Sequence, residues 1–259
     1  MPSSLRHRRR ARLFVELEAR RDDAPELSAR LPHSASDVLD ESVDWERLAP
    51  RGTWATTLRP LLDELLLALC IVPAALIGAG VAVASAIAFG SLRKVLFVQP
   101  RVGHRGRIFN LVKFRTMRDA PQGNFAAWSA GDQARVTSFG RFLRSSHLDE
   151  LPQLINVLRG EMSFIGPRPE MVEVEEWANA NVPGFIERLA IKPGITGLAQ
   201  VTQGYTPRDV QAYQRKLELN RAYLRNMSCS TDLAVLVRTF FWMARGRGWR
   251  WDKSAASKH

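Results

Sequence analysis

Asp149 and Glu150 stand side by side in the segment RSSHLDELPQ, residues 144–153, the densest chemical signal of the chain. Pro152 is tolerated in the first turn of a helix and poorly inside one, so a helix is predicted to begin near Asp149. The two acids then lie at a helix N-terminus, where free N–H groups and the helix dipole favour a phosphate. Consecutive helix positions point about 100° apart, so the acids need not share one task. One could attack while the other holds a metal. Read on these residues alone, the pair equally fits Asp149 as an N-cap with Glu150 complementing the dipole.

Two further segments carry chemistry. In Gly166-Pro-Arg-Pro-Glu, Pro169 pushes Arg168 toward extended backbone and Pro167 stiffens the approach. An arginine held this way offers a guanidinium to a phosphate at little ordering cost. In Lys113-Phe-Arg-Thr-Met, strand alternation puts Lys113 and Arg115 on one face and Phe114 on the other. Two cations side by side repel unless an anion lies near them. Each segment also has a plain structural reading, as a rigid turn with a surface arginine and as a solvated edge strand.

The elements that must position these residues follow from composition and pattern. The chain has 259 residues, of which 46% are apolar and 24% charged, enough for one sizeable core plus an extension. Lys and Arg number 37 against 26 Asp and Glu, a net charge of +11. That surplus points to a polyanionic partner: nucleic acid, an anionic membrane surface or a phosphorylated substrate. Cys70 and Cys229 form no metal-ligand pair or disulfide framework, which fits a reducing compartment. The five histidines have no zinc-like spacing.

Residues 1–52 read as a polar, basic, partly disordered arm, with a cationic tract at 6–12 suited to anionic lipid. Residues 65–89 carry no charge, and about 20 apolar residues suffice to cross a bilayer. Pro73 interrupts that run, and Arg or Lys flanks it on both sides. A helix that enters, bends at Pro73 and returns to the same face would satisfy both flanks. The membrane-associated part is therefore placed at 53–92. From residue 93 onward the chain reads as a mixed, helix-rich α/β domain. Strands are predicted at 95–98 and 108–114, and a helix through Leu151, Leu154, Ile155 and Leu158 closes at Gly160. A turn cluster is predicted at 192–197. A helix over 207–226 has Val210, Tyr213, Leu217 and Tyr223 on one face. An apolar stripe of Leu233, Leu236, Val237, Phe240 and Phe241 leads into Arg245-Gly-Arg-Gly-Trp-Arg-Trp, a composition suited to a membrane interface or to packing on the domain.

Taken in order, KFRTM, RFLRSSHLDELPQLINVLRGEMSFIGPRP and KPGITGLAQV resemble the bacterial sugar transferase family, the monotopic phosphoglycosyl transferases. The resemblance covers roughly 58–239. It implies a re-entrant membrane helix broken at a proline, here Pro73, and a compact catalytic domain on the cytoplasmic face of the inner membrane, steadied by interfacial amphipathic helices. It also implies transfer of a sugar-1-phosphate from a UDP-sugar to polyprenyl (undecaprenyl) phosphate, initiating exopolysaccharide or glycoconjugate synthesis. In those terms Asp149 is the nucleophile and Glu150 binds Mg²⁺. Lys113, Arg144 and Arg168 attend the phosphates, and Pro167, Arg168 and Pro169 belong to the nucleotide side.

The chain departs from the family pattern at several points. FGSLRK at 89–94 replaces a proline-glycine turn. Val98 precedes Gln99 where arginine is common, and His147 replaces a small hydroxyl residue. Asn220 and Met227 replace a frequent Asp and Trp. A competing reading is a non-catalytic, membrane-tethered scaffold for anionic lipid or nucleic acid. It leaves LDELPQ and GPRP unexplained, and no nucleic-acid-binding motif supports it, so no nucleic acid partner is expected.

Overall fold

The computed structural model describes residues 43–119 and 132–245. The basic tract at 6–12 and the tryptophan-arginine tail at 246–251 lie outside the described residues.

A wide turn of helix at Trp54–Leu58 runs into the long helix α1, Arg59–Phe89, with Pro60 at its start and Pro73 inside it. Gly90, in the left-handed conformation at φ 67°, ends it. Together these form the one helix among the described residues that is long and apolar enough to cross a membrane, Trp54–Phe89. Leu58, Leu61, Leu65, Leu69, Val72, Leu76, Val83 and Ile87 are all exposed. Their steps of three, four or seven draw one continuous apolar stripe down the helix, on both sides of Pro73. The other face packs on the rest of the chain. Leu67 meets Phe109, Leu111, Val157 and Met162, while Val81, Ala82 and Ala86 meet Val95, Phe114 and Leu143.

An antiparallel hairpin follows, β1 (Leu96–Val102) and β2 (Ile108–Phe114), in register Phe97↔Lys113 and Val102↔Ile108. The prediction for β2 has these same bounds; β1 extends beyond its predicted end because Pro100 and Arg101 continue the ladder. The helix α2, Ser138–Ser145, begins on Thr137, whose hydroxyl accepts from the Gly140 N–H. A Cβ on Gly140 would lie 1.9 Å from the Thr116 carbonyl oxygen, so only glycine lets α2 approach the end of the hairpin this closely.

The predicted helix at the acid pair starts differently from expectation. Leu148–Gln153 is a tighter 3₁₀ segment, and the α-helix, α3, runs only Leu154–Leu158. Pro152 lies inside the 3₁₀ segment, and a proline without an N–H is compatible with this tighter turn. Gly160 takes a positive φ just after α3.

Beyond it come β3 (Ser163–Ile165), α4 (Val172–Asn181), β4 (Gly194–Thr196), α5 (Leu198–Gln203), α6 (Val210–Arg225) and α7 (Cys229–Ala244). β3 and β4 pair in parallel, so part of the predicted turn cluster at 192–197 is strand. Three residues are too few to show alternation. Tyr213, Leu217 and Tyr223 are buried on one face of α6 as predicted, with Val210 packed beside them. Of the α7 stripe, Leu236 packs inward on Ile165 and Tyr223, while Leu233, Val237, Phe240 and Phe241 are exposed. Met227 joins that same core, and Asn220 is buried.

Candidate active site

The acid pair is set against the inner end of the hairpin by Asn156. Its side chain is fully buried; Oδ1 accepts from Val112 N–H at 3.1 Å and Nδ2 donates to the Asn110 carbonyl at 2.7 Å. The amide thus extends the ladder of β2 to α3, and the segment carrying Asp149 and Glu150 is held beside Lys113. Asp149 does not act as a cap. Position 147 precedes the segment, with His147 in the left-handed conformation at φ 58° and no side-chain capping bond.

Asp149 is 8% exposed. Burial, then the neighbouring Glu150, push its carboxyl up to about 6, against the pull of Lys113, Arg144 and Arg168. Glu150 goes the other way. Burial alone would raise it, but the charge and hydrogen bond of Arg168, with His147 and Lys113, hold it below the usual carboxylate range. The Arg168 guanidinium donates to Glu150 Oε1 at 2.8 Å. Adjacent acids with divided environments have divided roles open to them: a more basic carboxylate and a less basic one.

Four cations surround the pair: Arg168, Lys113, Arg144 and Arg101. Lys113, whose ammonium lies 5.2 Å from the Phe97 ring centre, is lowered to about 8 by burial and then Arg101. Arg144, at the end of α2, donates from Nε to the Thr116 hydroxyl at 2.9 Å, so the KFRTM segment supplies an anchor as well as a charge. Arg115 lies over the same ring as Lys113 but pairs with Asp119 at 2.6 Å. The fourth, Arg101, was not singled out by sequence. Burial, then Arg168, lower it to about 10. It donates to Gln99 Oε1 at 2.7 Å and to the Pro169 carbonyl at 3.2 Å.

The loop bearing Pro167, Arg168 and Pro169 is fixed one carbonyl at a time. Pro167 O accepts from Gly194 N–H at 2.9 Å and Arg168 O from Arg188 Nη1 at 2.9 Å. Pro169 O accepts from Arg101, and Glu170 O from Val102 N–H at 3.0 Å. Four successive carbonyls thus bond to four different residues, and the backbone has little freedom left to move Arg168. Beneath the loop, Arg188 pairs with Glu175, and Lys216 with Glu170, all four buried. Lys216 and Arg188 hold Glu170 down to about 2 although burial opposes them.

This cluster brings together Lys113, Arg144, Asp149, Glu150 and Arg168 from four separate segments, which is the order of motifs that the resemblance rests on. A profile of the family described as bacterial sugar transferase matches residues 54–246. The chain belongs to the bacterial sugar transferase family. A Caulobacter vibrioides protein named UDP-glucose:undecaprenyl-phosphate glucose-1-phosphate transferase is 36% identical over 83% of this chain and 84% of its own length. An Aeromonas hydrophila UDP-N-acetylgalactosamine-undecaprenyl-phosphate N-acetylgalactosaminephosphotransferase is 36% identical over 60% of this chain. A Klebsiella pneumoniae protein with the same name as the Caulobacter one is 37% identical over 61%. The chain spans most of the Caulobacter protein but only 37% and 34% of the other two sugar transferases. Membership favours the transferase reading over the scaffold.

Proposed function

We propose that this bacterial sugar transferase moves a sugar-1-phosphate from a UDP-sugar to undecaprenyl phosphate, through a phosphosugar carried on Asp149. The observation that carries the reading is the acid pair itself, one acid raised and one lowered, ringed by Lys113, Arg144, Arg168 and Arg101. Charge of that sign, fixed before substrate arrives, suits a diphosphate and the negative charge that grows on its leaving group.

In the first step an Asp149 carboxylate oxygen attacks the sugar-bearing phosphorus. The bond from that phosphorus to the bridging oxygen breaks, and UMP departs with the electron pair. In the second step an oxygen of the polyprenyl phosphate attacks the same phosphorus, and the Asp149 carboxylate leaves. The product is polyprenyl-diphosphate-sugar, and the enzyme is restored. No general base is required, because Asp149 at about 6 is mostly ionised at neutral pH. Its basicity above an ordinary aspartate makes it the better nucleophile of the pair. Mg²⁺ commonly takes one or two carboxylates and completes its shell with substrate phosphates and water. Glu150 would hold Mg²⁺, which would supply positive charge to the diphosphate when bound.

We place the domain on the cytoplasmic face of the inner membrane, with α1 entering the bilayer and re-emerging about Pro73, and the exposed face of α7 in the interface. The names of the relatives differ in their sugars, so the test is a panel of radiolabelled UDP-sugars, glucose and N-acetylgalactosamine included. Each is assayed in membranes with undecaprenyl phosphate for UMP release and lipid-linked label. Release of UMP with label on the lipid is expected for at least one sugar. No release from any member of the panel overturns the proposal.

A further inference from the structure

The apolar helix α1 begins with three charged residues, Arg59, Asp63 and Glu64, and the first two bond to the rest of the chain. Arg59 and Asp63 are four residues apart and therefore share a face. Both are bonded to the short strand β3. Arg59 Nη2 donates to the Ser163 hydroxyl at 3.0 Å and to the Ile165 carbonyl. Asp63 Oδ1 accepts from the Ser163 hydroxyl and from the Phe164 N–H, each at 2.9 Å. Arg59 also faces Asp232 of α7, Nε to Oδ2 at 3.7 Å, and Asp232 takes the Trp54 indole N–H at 3.0 Å and the Tyr223 hydroxyl at 2.5 Å. Arg59 is 7% exposed and Asp232 0%.

The next residue after β3 is Gly166, the start of the loop whose four carbonyls fix Arg168. No free length of chain separates the membrane helix from that loop: Asp63 holds Phe164, and Phe164 lies four residues before Arg168. A charged acceptor on a backbone N–H is a strong and directional bond, and here it is half-buried. We propose that Arg59 and Asp63 are positioning residues for Arg168, so that the seating of α1 sets the reach of the loop toward the nucleotide sugar. The proposal rests on the transferase reading of the acid pair.

The test uses the full chain in nanodiscs. In a two-step reaction kcat/KM for each substrate reports its own half-reaction. Asp63→Ala is expected to lower kcat/KM for the UDP-sugar about tenfold, the scale of two lost half-buried hydrogen bonds, and to leave kcat/KM for polyprenyl phosphate within about twofold. Asp63→Asn, which keeps an acceptor, should recover most of the loss. Equal falls for both substrates, or none, overturn the proposal. Hydrogen exchange supplies a readout independent of turnover: peptides covering 163–170 should exchange faster in Asp63→Ala while those of α6 do not change. Unchanged exchange at 163–170 also overturns it. A wild-type chain without turnover would sink the transferase reading, and the exchange arm would still decide the clamp.

Discussion

Two clusters of charge lie a few residues apart in this protein and behave oppositely. In the layer beneath the loop, Glu175 meets Arg188 and Glu170 meets Lys216, acid for base, with nothing left over. Around Asp149 and Glu150, two acids face Lys113, Arg144, Arg168 and Arg101, and positive charge is in surplus. The same types of side chain thus serve two ends. A closed layer contributes rigidity and asks for no ligand. An open one waits for an anion, and a diphosphate is the anion that the proposed reaction supplies.

The comparison breaks most sharply at Asp149. Asp149→Asn is expected to lower transfer by about 10⁴-fold or more, measured as lipid-linked label, because the amide cannot take up the phosphosugar. The fold should not suffer. The carboxyl is raised in the folded chain, so its ionisation at neutral pH costs stability that the amide does not. A thermal melt should therefore show an equal or higher Tm.

Arg188→Met should do the reverse. It leaves Glu175 and the Arg168 carbonyl without their shared partner in the interior, a loss of about 3–5 kcal/mol in denaturant unfolding. A variant as stable as wild type would mean that the lower layer is not closed in solution. A smaller effect is expected at Arg168→Lys, where the charge is kept but the planar fork is lost. The KM for UDP-sugar should rise about tenfold in steady-state assays, with Tm unchanged.

Acid separates the two layers without mutation. Asp149 titrates at about 6, so kcat/KM should fall about tenfold per pH unit below that value. Glu170, held near 2, contributes stability that is fully present above its ordinary value of 4.5 and lost only as the pH falls toward 2. At pH 5 the chain should thus be folded by circular dichroism, largely inactive, and restored on return to pH 7. Above about 8 Lys113 loses its charge and activity should fall again.

Much of this was legible in sequence, for reasons that differ from place to place. The span of β2 could be read because Ile108–Phe114 is bounded by a glycine-rich turn and a polar stretch. The buried face of α6 repeats at helical spacing over 16 residues, long enough for the period to show. The acid pair could be found because its neighbours fall in a fixed order along the chain. β4 could not, since three residues carry no period. Arg188 and Glu175 are 13 residues apart, and Lys216 and Glu170 are 46 apart. Such pairs leave no local pattern, and neither does Arg101, 67 residues before Arg168, the cation beside which it lies. Asn156 likewise reads as a polar interruption in an apolar helix until β2 is beside it.

The exposed leucine stripe has one further consequence. From Leu58 to Ile87, at about 1.5 Å per residue, it runs about 44 Å, against a hydrocarbon layer of about 30 Å. A straight helix carrying it cannot stand upright without mismatch; it must slant, or bend at Pro73. With α1 placed in the bilayer as proposed, bilayer thickness becomes a mechanical input to this protein. Lipids with shorter or longer chains would change the angle at which α1 leaves the interface, where Arg59 and Asp63 grip the domain.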